Sequence, residues 1–127
     1  MQPLNVLIVD DSKIVREVLT GMFKELGHTI VGTAGNGEEA LQKFLELRPD
    51  LVSMDITMPK VDGIAATKNI LAQAPDALVI VVTSHGQEKM IVDAIEAGAK
   101  GYVLKPFRKD KIKEQIELIL KRRNSGQ

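Results

Sequence analysis

Four short apolar runs, spaced by stretches of helical periodicity, constrain this chain more than any other feature. They are Val6-Leu7-Ile8-Val9, Leu51-Val52-Ser53-Met54, Leu78-Val79-Ile80-Val81-Val82 and Tyr102-Val103-Leu104. Their apolar residues are continuous rather than alternating, as in strands covered on both faces of a parallel sheet. A weaker strand is predicted at Thr29 to Ala34. Ser12 is placed to cap a helix whose apolar positions are Ile14, Val15, Val18, Leu19, Met22, Phe23 and Leu26, with Gly27 ending it. Asn36 and Glu39 form a capping-box start for a second helix, which carries Ala40, Leu41, Phe44 and Leu45 and stops before Pro49. Further helices are predicted from Ile64 to about Ala74, from Gln87 to Ala97, and from about Lys109 to Arg122. The Gln87 helix buries Met90, Ile91, Ala94 and Ile95 before Gly98, and the last one repeats Ile112, Ile116, Ile119 and Leu120 at helical spacing.

Strand and helix thus alternate five times, which is the pattern of a doubly wound α/β fold with helices on both faces of a parallel sheet. At 127 residues the chain is read as a single domain, 1–127. Seventeen Lys and Arg balance 17 Asp and Glu, so no global field draws it to nucleic acid or to an anionic membrane. The absence of cysteine removes disulfides and thiolate chemistry and fits a reducing compartment. Residues 1–5 carry no basic region followed by an apolar stretch, and the longest apolar run, Ala77 to Val82, is far short of a membrane span. A cytoplasmic protein that binds neither nucleic acid by itself nor membrane is expected. Asn124 to Gln127 reads as a frayed tail.

Polar residues stand where the apolar runs end: Asp10 and Asp11, Asp55, Thr83 and Lys105. In an open parallel sheet such ends share one edge, the edge at which ligands bind. Asp10-Asp11-Ser12 alone reads as an acidic turn entering a helix, where the dipole favours anions. Asp55 on another strand alters that reading. Two carboxylates about 4 Å apart repel by roughly 4 kcal/mol at an effective dielectric of about 20, so three of them call for a cation. Mg²⁺ suits such a site, since it takes a few carboxylates, waters and a phosphate oxygen. The same acids oppose an FMN phosphate in the first loop, as in flavodoxins of this architecture. Neither a dinucleotide fingerprint nor a Walker loop is present. Lys105-Pro106 ends its strand, and a cis bond there would turn the chain and point the ammonium inward, where it can pair with Asp55.

Together, Asp10-Asp11, Met54-Asp55-Ile56-Thr57-Met58-Pro59 with Asp62-Gly63, Val82-Thr83-Ser84 and Lys105-Pro106-Phe107 resemble the receiver domain of two-component response regulators. The resemblance spans essentially the whole chain, keeps the motifs in order, and is strongest to stand-alone chemotaxis regulators. It implies a flavodoxin-like (βα)5 fold with strand order 2-1-3-4-5. It also implies that Asp55 is the phosphoacceptor, that Asp10, Asp11, Asp55 and the carbonyl of Thr57 hold Mg²⁺, and that Thr83 and Lys105 bind the phosphoryl oxygens. The implied partners are a sensor histidine kinase, a downstream protein target and a phosphatase. On the same grounds Tyr102 is a switch that turns inward with Thr83 and remodels the surface of the fourth helix, fifth strand and fifth helix. From the residues alone Tyr102 is equally well a half-buried aromatic on an edge strand.

Several readings stay open at this point. The chain is either a complete phosphorelay regulator or the N-terminal receiver of a longer one with transcriptional or enzymatic output. A third class is an Mg²⁺-dependent aspartyl phosphatase using the Asp55-Ile56-Thr57 loop. His85 is either an exposed loop residue or a group beside the attacking water's route. His28, beside a glycine stop, gives no support to a two-histidine metal site. The basic stretch Lys109, Lys111, Lys113, Lys121, Arg122 and Arg123 is a solvated helix face or a dock for an acidic peptide.

Overall fold

Every predicted strand forms, and the strands assemble edge to edge in parallel. The computed structural model describes residues 2–56, 58 and 62–124. Within it lie β1 (Asn5–Val9), α1 (Lys13–Glu25), β2 (Thr29–Ala34), α2 (Gly37–Leu47), β3 (Leu51–Asp55), α3 (Gly63–Gln73), β4 (Leu78–Ser84), α4 (Glu88–Glu96), β5 (Gly101–Lys105) and α5 (Lys109–Asn124). The sheet order is β2-β1-β3-β4-β5, all neighbours parallel, which is the doubly wound order implied by the resemblance. Thr57 and Pro59 of the receiver-like motif, and the tail reading for Ser125 to Gln127, fall outside the described residues.

Alternation along each strand splits the core in two. Leu7, Val9, Val52, Met54, Val79 and Val81 face α2, α3 and α4, packing with Ala40, Phe44, Ala66, Ile70 and Ala94. Val6, Ile8, Leu51, Ile80 and Val103 face the other way, against Leu19 and Phe23 of α1 and Ile112, Ile116 and Ile119 of α5. Burial on both faces explains why the runs are continuously apolar.

Capping sets where the helices start. Ser12 Oγ accepts from the Val15 amide at 3.3 Å, and Asn36 Oδ1 from the Glu39 amide at 2.9 Å. The expected capping box closes one residue early, because Glu39 Oε1 accepts from Gly35 rather than from the cap residue. Asp62 caps α3 through the Ala65 amide at 2.9 Å, so that helix begins at Gly63. Gly27 and Gly98 stop their helices with φ of 92° and 113°, in the left-handed region that glycine enters freely.

The helix faces are narrower than expected. Ile14, Val18, Leu45 and Ile95 are exposed, and Ile91 is only partly buried. Each exposed residue is the sequence neighbour of one turned toward the sheet, as Val18 is to Leu19, Leu45 to Phe44 and Ile95 to Ala94. One residue is about 100° around the helix axis, enough to leave the contact stripe. An apolar pair in sequence therefore does not mean a buried pair.

Candidate functional site

The register of the sheet brings the acids together. Val9 stands opposite Met54, so the next step along the two strands sets Asp10 beside Asp55. One oxygen from each of Asp10, Asp11 and Asp55 lies within 4.8 Å of the others. Asp10 and Asp55 are buried, whereas Asp11 is exposed. Thr83 lies inside β4 opposite Leu104, because that strand runs to Ser84 rather than ending at Val82. Lys105 closes β5 opposite Ser84.

Asp10 is tethered at nearly every polar atom. Its amide donates to the Ala34 carbonyl at 3.0 Å, its carbonyl accepts from Arg16 Nη1 at 2.7 Å, and its Oδ1 accepts from the Ser12 amide at 2.9 Å. Oδ2 alone is buried with no hydrogen-bond partner. Lys105 Nζ stands 4.0 Å from it, an ion pair beyond hydrogen-bond reach. Burial pushes the Asp10 carboxyl above its ordinary range; the Ser12 amide opposes this, the Asp55 charge adds to it, Lys105 opposes it and Asp11 adds again. Thr83 Oγ1 is a second buried atom without a partner on the same sheet edge. The Lys105–Pro106 bond is cis.

These atoms fit a hard divalent cation and an anionic group carrying several oxygens. A buried carboxylate oxygen with no donor, crowded by two further carboxylates, is a poor resting arrangement without a cation. The Thr83 hydroxyl and the Lys105 ammonium can each donate to an anion. The fourth expected metal ligand, the Thr57 carbonyl, lies outside the described residues.

Two contributors escaped the sequence reading. Gly63 enters the sequence reading only as part of the receiver-like motif, yet a Cβ there would collide with the Asp55 carbonyl oxygen and sit 2.7 Å from its carbonyl carbon. Only glycine lets α3 start this close beneath the end of β3. Arg16 could have been suspected from its place about one turn into α1, although its target, a backbone carbonyl, leaves no mark in sequence. Tyr102 is exposed, its amide donating to Gln115 Oε1 at 3.2 Å; its ring lines a hollow of about 480 Å³ with His85, Arg108 and Lys111. His85 is exposed as well, and His28 is buried far from the acids, at the opposite end of the sheet.

Residues 6–117 match the family model described as the response regulator receiver domain. The chain belongs to that family. Among relatives of this receiver domain, the chemotaxis protein CheY of Thermotoga maritima is 43% identical, the match covering 91% of this chain and 97% of that one. The chemotaxis protein CheY of Listeria monocytogenes is 42% identical over 93% and 99% of the two chains. Among solved structures, that of the Borrelia burgdorferi CheX–CheY–BeF3–Mg²⁺ complex superposes with a TM-score of 0.88 at 38% identity, covering 93% of this receiver and 90% of that chain. The receiver is thus a CheY-like signalling domain of two-component systems rather than a conventional enzyme. Receiver domains bind Mg²⁺ at an acidic pocket, and this receiver has a cluster of three aspartates. CheY-like receivers work with histidine kinases and downstream targets. No helix among the described residues is long and apolar enough to cross a membrane.

Proposed function

We propose that residues 1–127 form a single receiver that takes a phosphoryl group onto Asp55 from the phosphohistidine of a sensor kinase and passes the signal to a separate protein, in the manner of a chemotaxis regulator. An Asp55 carboxylate oxygen attacks phosphorus, the P–N bond breaks, and the imidazole leaves with a proton. Asp10, Asp11 and Asp55, with the Thr57 carbonyl, would hold Mg²⁺, which when bound neutralises charge on the carboxylates and phosphoryl oxygens. Thr83 donates its hydroxyl to one phosphoryl oxygen and Lys105 its ammonium to another. Phosphoryl transfer needs little from a protein beyond position and charge neutralisation, and this group of side chains can supply both. Hydrolysis of the aspartyl phosphate, alone or with a phosphatase, resets the domain.

One observation carries the reading: Asp10 Oδ2, just past β1, and Thr83 Oγ1, on β4, are both buried without hydrogen-bond partners on the two sides of the β3 end that Asp55 closes. Buried polar atoms are rarely left so, and a cation and a phosphoryl oxygen would complete them. Output would follow from a shift between two states that differ in their contacts to the phosphoryl group, Thr83 moving toward it and Tyr102 turning inward, so that the α4-β5-α5 face changes for its target. Tyr102 is the only tyrosine and the chain has no tryptophan, so its emission reports the shift directly. Incubation with a small acyl phosphate and Mg²⁺ should label the protein once, and Asp55→Asn should carry no label. Continuous turnover of a generic phosphate ester would instead identify an aspartyl phosphatase. Unchanged Tyr102 emission and quenching on adding Mg²⁺ with beryllofluoride would remove Tyr102 from the switch.

A further inference from the structure

Arg16 lies on α1, six residues after Asp10, and its guanidinium donates to the Asp10 carbonyl oxygen at 2.7 Å. It therefore grips main chain, not a carboxylate. That carbonyl belongs to the peptide plane whose other half is the amide of Asp11, and a peptide plane turns as one body. The plane before it is held by the Asp10 amide on Ala34, and the Asp10 side chain by the Ser12 amide on Oδ1. With the Arg16 bond, three of the four polar atoms of Asp10 are hydrogen-bonded, and Oδ2 alone is not. The guanidinium also lies against the β2–α2 turn: a Cβ built on Gly35 would be 3.7 Å from Nη1, ordinary contact, so the turn backs the arginine on that side.

We propose that Arg16 is a positioning residue for the cation site: by fixing the plane between Asp10 and Asp11 it sets the angle at which the two acids present their oxygens. This rests on the proposed function of the acidic cluster and adds a residue to it. Groups that orient metal ligands typically govern affinity by about 10–100-fold without touching the ion. A planar guanidinium reaching past the helix backbone suits this task better than an ammonium, whose hydration is stronger and whose geometry is unfixed.

The experiment uses the whole chain, without phosphodonor at first. Mg²⁺ affinity is titrated by calorimetry for wild type, Arg16→Met, Arg16→Lys and the exposed-cation control Lys24→Met, alongside the thermal midpoint of each. Arg16→Met should weaken Mg²⁺ by about tenfold. Arg16→Lys, which keeps a charge and one donor, should fall in between, and Lys24→Met should match wild type. In metal-free protein the Asp11 amide resonance should move more in Arg16→Met than amides at the far ends of the strands. Acyl-phosphate labelling of Arg16→Met should be slow at limiting Mg²⁺ and return toward the wild-type rate at saturation. A lower thermal midpoint with wild-type Mg²⁺ affinity in both Arg16 variants would reduce Arg16 to a structural contact and overturn the proposal. Should Arg16→Met not fold, Arg16→Lys alone decides by the same comparison. Failure of wild type itself to bind Mg²⁺ would sink the cluster's proposed function and this inference together, a result distinct from loss of the Arg16 effect alone.

Discussion

The two ends of the parallel sheet are made from the same strands but finished differently. At the end where the strands begin, backbone groups are tied across the chain: Asn5 donates to Asp50 Oδ2 at 2.8 Å, Asp50 to the Asn5 carbonyl at 2.8 Å, and Thr29 to the Leu4 carbonyl at 2.9 Å. His28 is buried there, its Nδ1 accepting from the Leu4 amide at 3.0 Å, so its proton sits on Nε2. At the end where the strands finish, three carboxylates and an ammonium crowd together, and two buried oxygens have no hydrogen-bond partner. Burial acts at both ends with opposite sign. It raises the Asp10 carboxyl, which becomes charged by losing a proton, and lowers the His28 imidazole, which becomes charged by gaining one, aided by the positive amino terminus. Both ends bury a polar atom without a hydrogen-bond partner, His28 Nε2 at the start and Asp10 Oδ2 and Thr83 Oγ1 at the finish, but only the finishing end also gathers like charges, and there a cation would complete the proposed site.

The largest effect expected from breaking this contrast comes from glycine. At the finishing end, Gly63→Ala drives a methyl into the Asp55 backbone and should cost about 3 kcal/mol or more. At the starting end, Gly101→Ala meets the tip of the Gln115 side chain and touches Ile119 Cδ1 at ordinary contact; the tip can swing aside with loss of its bond from the Tyr102 amide, so the change should cost about 1 kcal/mol. Denaturant midpoints of the two variants measure the difference, and equal losses would mean that the β3 end is not closely backed by α3.

Next in size is Asp10→Asn. Carboxylate oxygens under 5 Å apart repel by about 3 kcal/mol at an effective dielectric of about 20, and Asp11 is solvated enough to feel less. The variant should therefore be more stable than wild type in chelator, by about 1–2 kcal/mol after loss of the Lys105 pairing. A destabilised Asp10→Asn would show that Asp10 is a structural acid.

The smallest effect belongs to His28. Its folded pKa lies below the unfolded value, so the unfolded chain binds more protons in the acid range. The contribution is present above about pH 6.5 and is lost as pH falls through the folded pKa. Thermal midpoints between about pH 7.5 and 5.5 should drop by a few degrees in wild type and less in His28→Gln, which keeps an acceptor for Leu4 without titrating. Parallel slopes would remove His28 from the pH response. Asp10 has the reverse sign: its raised pKa favours the folded state below the unfolded value of 3.8, and that contribution fades as pH rises through the folded pKa.

Much of this was legible because parallel strands covered on both faces write themselves as unbroken apolar runs, and because strand ends in such sheets share an edge. The same logic brings Asp10, Asp11, Asp55, Thr83 and Lys105 to one sheet edge. Helix faces were less legible: periodicity cannot separate Val18 from Leu19 or Ile95 from Ala94 when both neighbours are apolar, and only the sheet decides which is covered. Contacts to main chain were not legible at all. Arg16 on the Asp10 carbonyl, Gly63 under the Asp55 carbonyl and Leu4 on His28 each join a side chain, or its absence, to a backbone atom that any residue would carry.

The central claim, that the finishing end is incomplete until a cation arrives, is tested most directly by one thermal titration of wild type and Asp10→Asn with Mg²⁺. Wild type should begin less stable and gain about 2.7 kcal/mol once Mg²⁺ stands about 100-fold above its dissociation constant. Asp10→Asn should begin more stable and gain little. Equal gains in the two proteins, or none in either at millimolar metal, would contradict the account.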